Sequence, residues 1–302
     1  MSFPRLASAI LAASLSLMGS TAPAQTFSPS GDPDRPLPDI QALMHEVQEH
    51  ERAAEAIQKD YLYREVAREQ RGDGKKTETN EYDVFWINGV EVQKLTRKDG
   101  KDLTPDEQRK QNERLDKEVA KAKERKAKAD AKGQQTDSQG HEEITVSRFL
   151  ELGSFTHPRR LQLNGRETIA VDYAGDPKAK TRNRTEEVIR DLSGTLWIDD
   201  QDRAITRLEG RFARPFKIGG GLLMSIKKDT NFSMEQIKIN NEVWFPSKIE
   251  GHGGARVMLF VNFDGSILVT NSNYRKFKAT STILPGAATV HESPEEPAVA
   301  PR

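Results

Sequence analysis

The stretch LSGTLWIDDQDRAITRLEGRF, residues 192–212, constrains this chain more than any other. Leu196, Trp197 and Ile198 end one apolar strand, residues 199–203 make a short polar turn, and residues 204–212 alternate almost strictly. Ala204, Thr206, Leu208, Gly210 and Phe212 share one face, with Ile205, Arg207, Glu209 and Arg211 on the other. A lone hairpin is marginal in water, so this one requires a larger sheet on which to bury its apolar face.

Much of the remaining chain reads as that sheet. Period-two runs over 77–87 and 90–97 flank Asn88-Gly89, and runs over 155–163 and 166–173 flank Asn164-Gly165. Asn-Gly between alternating runs is a strong hairpin signal, because both central positions of a type I′ turn need positive φ. Asn240-Asn241 joins 231–239 to 242–250, where Pro246 marks an edge or a bulge. Asp264-Gly265 joins 255–263 to 266–278, Gly72-Asp73-Gly74 follows a first strand at 61–69, and glycines at 219–221 break the chain before 222–227. The expectation is a series of antiparallel strands in sequence order. Tyr82, Val84 and Trp86 share a face while Phe85 and Ile87 take the other, so both sides of that strand should be covered.

Three segments change the period. Residues 39–59 place Ile40, Leu43, Met44, Val47, Ala54 and Ile57 at three- and four-residue spacing behind Asp39 as N-cap, which predicts a helix with one buried face. Residues 144–152 read as a short helix or irregular apolar segment, and 185–192 as one or two helical turns capped by Thr185. Within 103–140, Thr104-Pro105-Asp106-Glu107 starts a long charged helix in which Leu115 and Val119 are almost the only large apolar residues. Pairs such as Glu124–Lys128 support it. Two readings stand for this insertion: an arm that contacts a protein or surface, and a solvated excursion between strands. The fold class is mainly β with α (α+β).

Arg5, the apolar run 6–18 and Ala22-Pro23-Ala24 make residues 1–24 a secretory signal peptide, cleaved near Ala24, and predict a periplasmic or secreted protein. That run is too short to span a bilayer, and no later stretch approaches transmembrane length. Residues 25–38 read as a flexible linker, 39–280 as a single domain carrying the insertion, and 281–302 as a disordered tail. The absence of cysteine excludes disulfides and thiolate metal sites. Lys plus Arg balance Asp plus Glu at 46 each, so no global basic field favours nucleic acid, although Tyr61, Tyr63, Phe85 and Trp86 interleave with basic residues.

The search for reactive groups gives no catalytic residue, no metal site and no cofactor. His45 and His50 are five apart, whereas a zinc-protease helix needs four. Asp199, Asp200 and Asp202 lack the glycine and closing glutamate of a calcium loop, and no Gly-x-Ser-x-Gly elbow occurs. What recurs is large apolar residues in strands, several of them the shape-adaptable Met. They suit either a greasy ligand surface or a core against the helices.

Ser193-Gly194-Thr195-Leu196-Trp197-Ile198-Asp199, followed by Ala204-Ile205-Thr206-Arg207-Leu208-Glu209-Gly210, resembles a motif of outer-membrane lipoprotein-sorting proteins, the periplasmic lipoprotein carriers. Asn241-Glu242-Val243-Trp244-Phe245-Pro246 is similar to a later strand start of that superfamily. The likeness spans roughly 61–277, and secreted bacterial members with the same leading helix and charged insertion resemble the chain most. It implies a curved, unclosed antiparallel half-barrel covered by helices, with a cavity for acyl chains. It further implies a non-catalytic periplasmic binding protein for a hydrophobic or amphiphilic ligand, with a lipid or an acylated protein as partner. Trp86, Trp197, Leu208, Phe212, Met224, Met234 and Met258 are then the candidate lining residues. The charged insertion is absent from the simple carrier pattern. An alternative follows from it: an envelope scaffold that contacts an envelope protein through 103–132 and whose barrel interior is fully occupied by side chains.

Overall fold

Left-handed turns set the hairpins. Asn88 and Gly89 have φ of 52° and 77°, Asn164 and Gly165 53° and 77°, and Asn240 and Asn241 49° and 57°. Both central positions of each turn are therefore left-handed, as the primed turn demands. A computed structural model describes residues 27–29, 35–72, 76–133, 136, 146–212, 214–218, 224–257 and 261–276. The expected signal peptide, the C-terminal tail, the glycines at 219–221 and Met258 lie outside the described residues.

In chain order the strands are β1 (Phe27–Pro29), β2 (Tyr61–Arg71), β3 (Lys76–Ile87), β4 (Val90–Lys98), β5 (Lys101–Asp102), β6 (Gly153–Leu163) and β7 (Arg166–Gly175). They continue as β8 (Leu192–Asp199), β9 (Ile205–Phe212), β10 (Phe216–Ile218), β11 (Met224–Ile226), β12 (Asn231–Ile239), β13 (Val243–Val257) and β14 (Val261–Lys276). The helices are α1 (Ile40–Gln58), α2 (Pro105–Asp130), α3 (Val146–Leu152) and α4 (Arg184–Arg190). One antiparallel sheet takes the order β1-β6-β7-β8-β9-β12-β13-β14-β2-β3-β4-β5, with β10 and β11 branching from β13. Its end strands do not pair with each other, so it is an unclosed, curved half-barrel. Register shifts at Glu81/Tyr82, Thr156/Arg159, Trp197/Ile198 and Glu235/Gln236 bend it. Pro246 stands opposite Gln236 at the last of these. The strands do not follow simple sequence order. β14 pairs with β2, from Lys276↔Tyr61 to Gly265↔Arg71, and so zips the last strand to the first long one.

The helices divide the two faces. Asp39 caps α1 by accepting a hydrogen bond from the Ala42 amide at 2.9 Å. Leu43, Met44 and Val47 of α1 and Val146, Phe149 and Leu152 of α3 join Ile169 and Val171 of β7, Leu196 and Ile198 of β8, Leu208 of β9 and Met234 of β12 in one buried cluster. Further along α1, Ala54 and Ile57 rest on a second cluster of Tyr61, Tyr63, Val84, Val243 and Phe245. This side is the inner face. On the opposite side, Leu115, Val119 and Ala122 of α2 close over Phe85 and Ile87 of β3 and Val90 and Val92 of β4. The charged insertion is thus seated on the outer face through the few apolar residues it has. Its start carries the expected capping box between Thr104 and Glu107 with Pro105 in the first turn. α4 is capped two residues earlier than Thr185, because Asn183 is its N-cap and accepts from the Glu186 amide at 3.0 Å.

Candidate functional site

Three places stand out in the fold: the inner face, a trough that crosses the sheet, and the acidic turn after β8. On the inner face, Leu43, Met44, Val47, Leu152, Ile169 and Ile198 are at most 1% exposed. Fully buried apolar side chains at this density mark a close-packed core. Of the residues expected to line a ligand cavity, Leu208 and Met234 lie here, covered by α1. Phe212 belongs to a separate cluster with Val188 of α4, Phe216 and Ile226. Trp86 is buried near the end of α1, where Lys59 Nζ stands 5.4 Å from its ring centroid. Trp197 points the other way. Strand alternation puts it opposite Leu196 and Ile198, on the outer face beside Leu163, Ala170 and the Phe27 ring, with the Arg207 guanidinium 5.6 Å away. Met224 is in β11, which is paired with β10 on one side and β13 on the other, and Met258 lies outside the described residues.

The trough has a volume of about 880 Å³ and crosses β6 to β9 and β12 to β14. Its walls include Asp172, Thr195, Glu209, Arg211, Glu250 and His252, and Gly194, Gly210 and Gly251 contribute backbone. Asp172 and Thr195 hydrogen-bond each other, and Glu209 shares Arg207 with the Trp197 side, which places them on the outer face. A methyl group on Gly210 would come 2.3 Å from the Phe232 ring, so only glycine lets that ring lie across the strand. The carboxylates are engaged. Asp172 holds Arg159 at 3.0 Å and Thr195 at 2.8 Å, Glu209 holds Arg207 at 2.6 Å, and Glu250 holds Lys248 at 2.9 Å. Burial pushes Asp172 up, but the bonds from Thr195 and Arg159 outweigh it and leave its carboxyl below the usual range.

Thr156, His157 and Asp172 bring a hydroxyl, an imidazole and a carboxylate together at one end of the trough. Thr156 Oγ1 is 3.1 Å and Asp172 Oδ2 3.6 Å from the same imidazole nitrogen, Nδ1. A catalytic triad uses the two ring nitrogens for the two partners, so this trio is not one. Among the described residues no group of three or more His, Asp or Glu is placed to hold a metal ion, and no helix is long and apolar enough to cross a membrane.

The acidic turn is densely bonded to the rest of the chain, and sequence reading alone found no partner for it. Asp199, 1% exposed, takes the Arg166 guanidinium through both oxygens and also accepts the Gln201 and Asp202 amides. Asp200 binds Arg160 and Arg203, each at 2.6 Å, and Arg203 reaches Glu46 of α1 at 2.6 Å. Asp202 accepts from Trp244 Nε1 at 2.9 Å and from Lys238 at 2.7 Å. The turn therefore ties β7, β12, β13 and α1 together, and its oxygens are already spent on cations of the chain itself. Burial pushes the Asp200 and Asp202 carboxyls up. Hydrogen bonds from Arg203 and Arg160, and from Lys238 and Trp244, prevail and hold both below the ordinary carboxylate range.

A depressed folded pKa gives stability that is complete above the unfolded value of about 4 and is lost as pH falls through the folded one. The urea midpoint is thus expected to stay level between about pH 7 and pH 5 and to drop below about pH 4. Asp202→Asn should show a shallower drop. A wild-type midpoint unchanged at about pH 2.5 would contradict the network.

The fold defines an open antiparallel half-barrel filled from one side by helices, with no metal-holding group of His, Asp or Glu among the described residues. No protein-family model and no curated protein matches the chain. Several solved structures are similar to it, and two of them show the extent of the likeness. One is a domain assigned as an outer membrane lipoprotein-sorting protein, from Vibrio parahaemolyticus, at 10% identity and a TM-score of 0.38, covering 80% of this chain and 94% of that one. The other is a DUF1329 family protein from Desulfovibrio piger, at 9% identity and a TM-score of 0.34, covering 80% of this chain and 95% of that one.

Proposed function

We propose that this protein is a non-catalytic interaction module of the bacterial envelope, working from the outer surface of a half-barrel whose interior its own helices fill. The observation that carries this reading is the inner face, where α1 and α3 bury Leu196, Ile198, Leu208 and Met234 under Leu43, Met44, Val47 and Phe149. An acyl chain gains roughly 0.8 kcal/mol per buried methylene only where there is room for it, and here the chain's own side chains take that gain. The signal-peptide pattern at 1–24 supports export, and α2, fixed on the outer face, offers a long and largely exposed helix for contact.

A second reading, an acyl-chain carrier with α1 and α3 as a displaceable lid, draws on one specific observation. Gln48 Nε2 of α1 and the Tyr173 hydroxyl, both buried at this seam, have no hydrogen-bond partner among the described residues. Each such atom costs about 1–3 kcal/mol, so the seam is less firmly closed than a core whose polar atoms are all bonded. Burial pushes the Tyr173 hydroxyl well above the ordinary phenol range. Titration with a fluorescent long-chain fatty acid, backed by native mass spectrometry of gently purified protein, separates the readings. The expected result is no uptake and no lipid-sized adduct. Saturable binding of one acyl chain per protein would replace the first reading with the second.

A further inference from the structure

α2 carries a pattern that its seating on the sheet does not use. Lys110, Arg114, Lys117, Lys121, Arg125 and Lys128 follow one another at spacings of four, three, four, four and three. At 3.6 residues per turn they fall within an arc of about 80° and extend over about 27 Å of helix. The buried seam of Leu115, Val119 and Ala122 lies roughly a third of a turn around the helix from that arc. Lys110, Arg114 and Lys128 have side chains 70%, 53% and 71% exposed. No Asp or Glu falls inside the arc between Lys110 and Lys128. Asp106, Glu118 and Glu124 border it, paired to Lys110 at 2.8 Å, Arg114 at 2.7 Å and Lys128 at 2.6 Å. From residue 117 to 132 the chain has seven Lys or Arg against three Asp or Glu. A chain of zero net charge therefore concentrates one sign along a straight ridge that Leu115 and Val119 hold rigidly against β4.

We propose that this ridge docks the protein onto a membrane surface of anionic phospholipid headgroups. The proposal rests on the reading that the protein acts from its outer surface, and it names the partner of that surface. Charge complementarity selects the partner. Four to eight Lys or Arg on one helix face is about the number that anionic headgroups recognise, and lipids move laterally to meet a straight row of cations. The ridge holds no Trp, Phe or Leu to insert below the headgroups, so attachment is peripheral and screened by salt.

The test is co-sedimentation of the chain lacking residues 1–24 with phosphatidylcholine vesicles, with and without phosphatidylglycerol. Binding is expected only with phosphatidylglycerol, with apparent affinity falling about tenfold or more between low and physiological salt. Lys117→Glu/Lys121→Glu/Lys128→Glu should abolish it, whereas Lys178→Glu/Lys180→Glu/Lys228→Glu, away from the ridge, should leave it intact. Circular dichroism and a thermal melt establish that both variants fold; if the first does not, the wild-type salt and lipid dependence still decides. Equal binding to neutral vesicles, no binding to anionic ones, or capture only by a soluble polyanion such as DNA overturns the proposal. Fatty-acid uptake is a separate readout. Failure on vesicles without uptake removes the membrane partner alone, while uptake removes the reading beneath it.

Discussion

Replacing Arg148 by alanine is expected to lower the unfolding free energy by about 3–5 kcal/mol, because it strands a buried carboxylate. Arg148 of α3 donates two hydrogen bonds to Glu186 of α4, at 2.8 and 2.6 Å, and a third to the Lys180 carbonyl at 2.7 Å. The two side chains are 12% and 4% exposed. Burial by itself pushes the Glu186 carboxyl up; the Arg148 bonds reverse this and hold it below the ordinary range. α3 and α4 are seven residues each, too short to persist without tertiary contacts, and this pair joins them. With the arginine gone, Glu186 must protonate or draw in water, and the cover over Ile189 and Phe149 loosens. At about 2–4 °C per kcal/mol for a domain of this size, the melting temperature should fall by roughly 6–20 °C. Arg148→Met/Glu186→Leu should recover much of the loss, since it removes both charges and keeps their volume. A single variant within about 1 kcal/mol of wild type would mean that the pair is solvated and the two helices are not joined through it.

The hairpins were legible because their turns state a local requirement. Asn88-Gly89 and Asn164-Gly165 announce positive φ, and the Thr104–Glu107 capping box announces a helix start, without reference to anything distant. What escaped depends on groups far apart in the chain. The pairing of β14 with β2 joins residues separated by almost the whole domain, and no local signal encodes it. β8 has large apolar residues on both faces, Leu196 and Ile198 against Trp197, so alternation separates the faces without saying which one meets α1. For the same reason the expected lining residues scatter over three clusters and both sides of the sheet. The acidic turn was visible, yet its partners Arg160, Arg166 and Lys238 come from other strands and carry no mark of that role in the sequence. Leu115 and Val119 were the exception within the charged helix. They stand nearly alone in a polar segment, and in the structure they form the seam that fixes it to β4.

The second large effect concerns α1 itself. Leu43 and Met44 are 1% and 0% exposed, at the centre of the cluster that fills the half-barrel. Leu43→Ala or Met44→Ala should each cost about 2–5 kcal/mol, the sum of lost transfer free energy and the cavity left behind. Because the two side chains share neighbours, the double variant should depart from additivity by about 0.5–3 kcal/mol. The walls left around that space, Ile198, Leu208, Met234 and Val171, are apolar, so the space should stay dry and accept a small apolar guest such as benzene or xenon. Wild type should accept neither, and a long acyl chain should still be refused while the rest of α1 stays seated. Denaturant titration measures the first effect, and the ligand-induced rise in melting temperature measures the second. A double variant that loses less than about 1 kcal/mol would place α1 away from the sheet, and the inner face would again be free for an acyl chain.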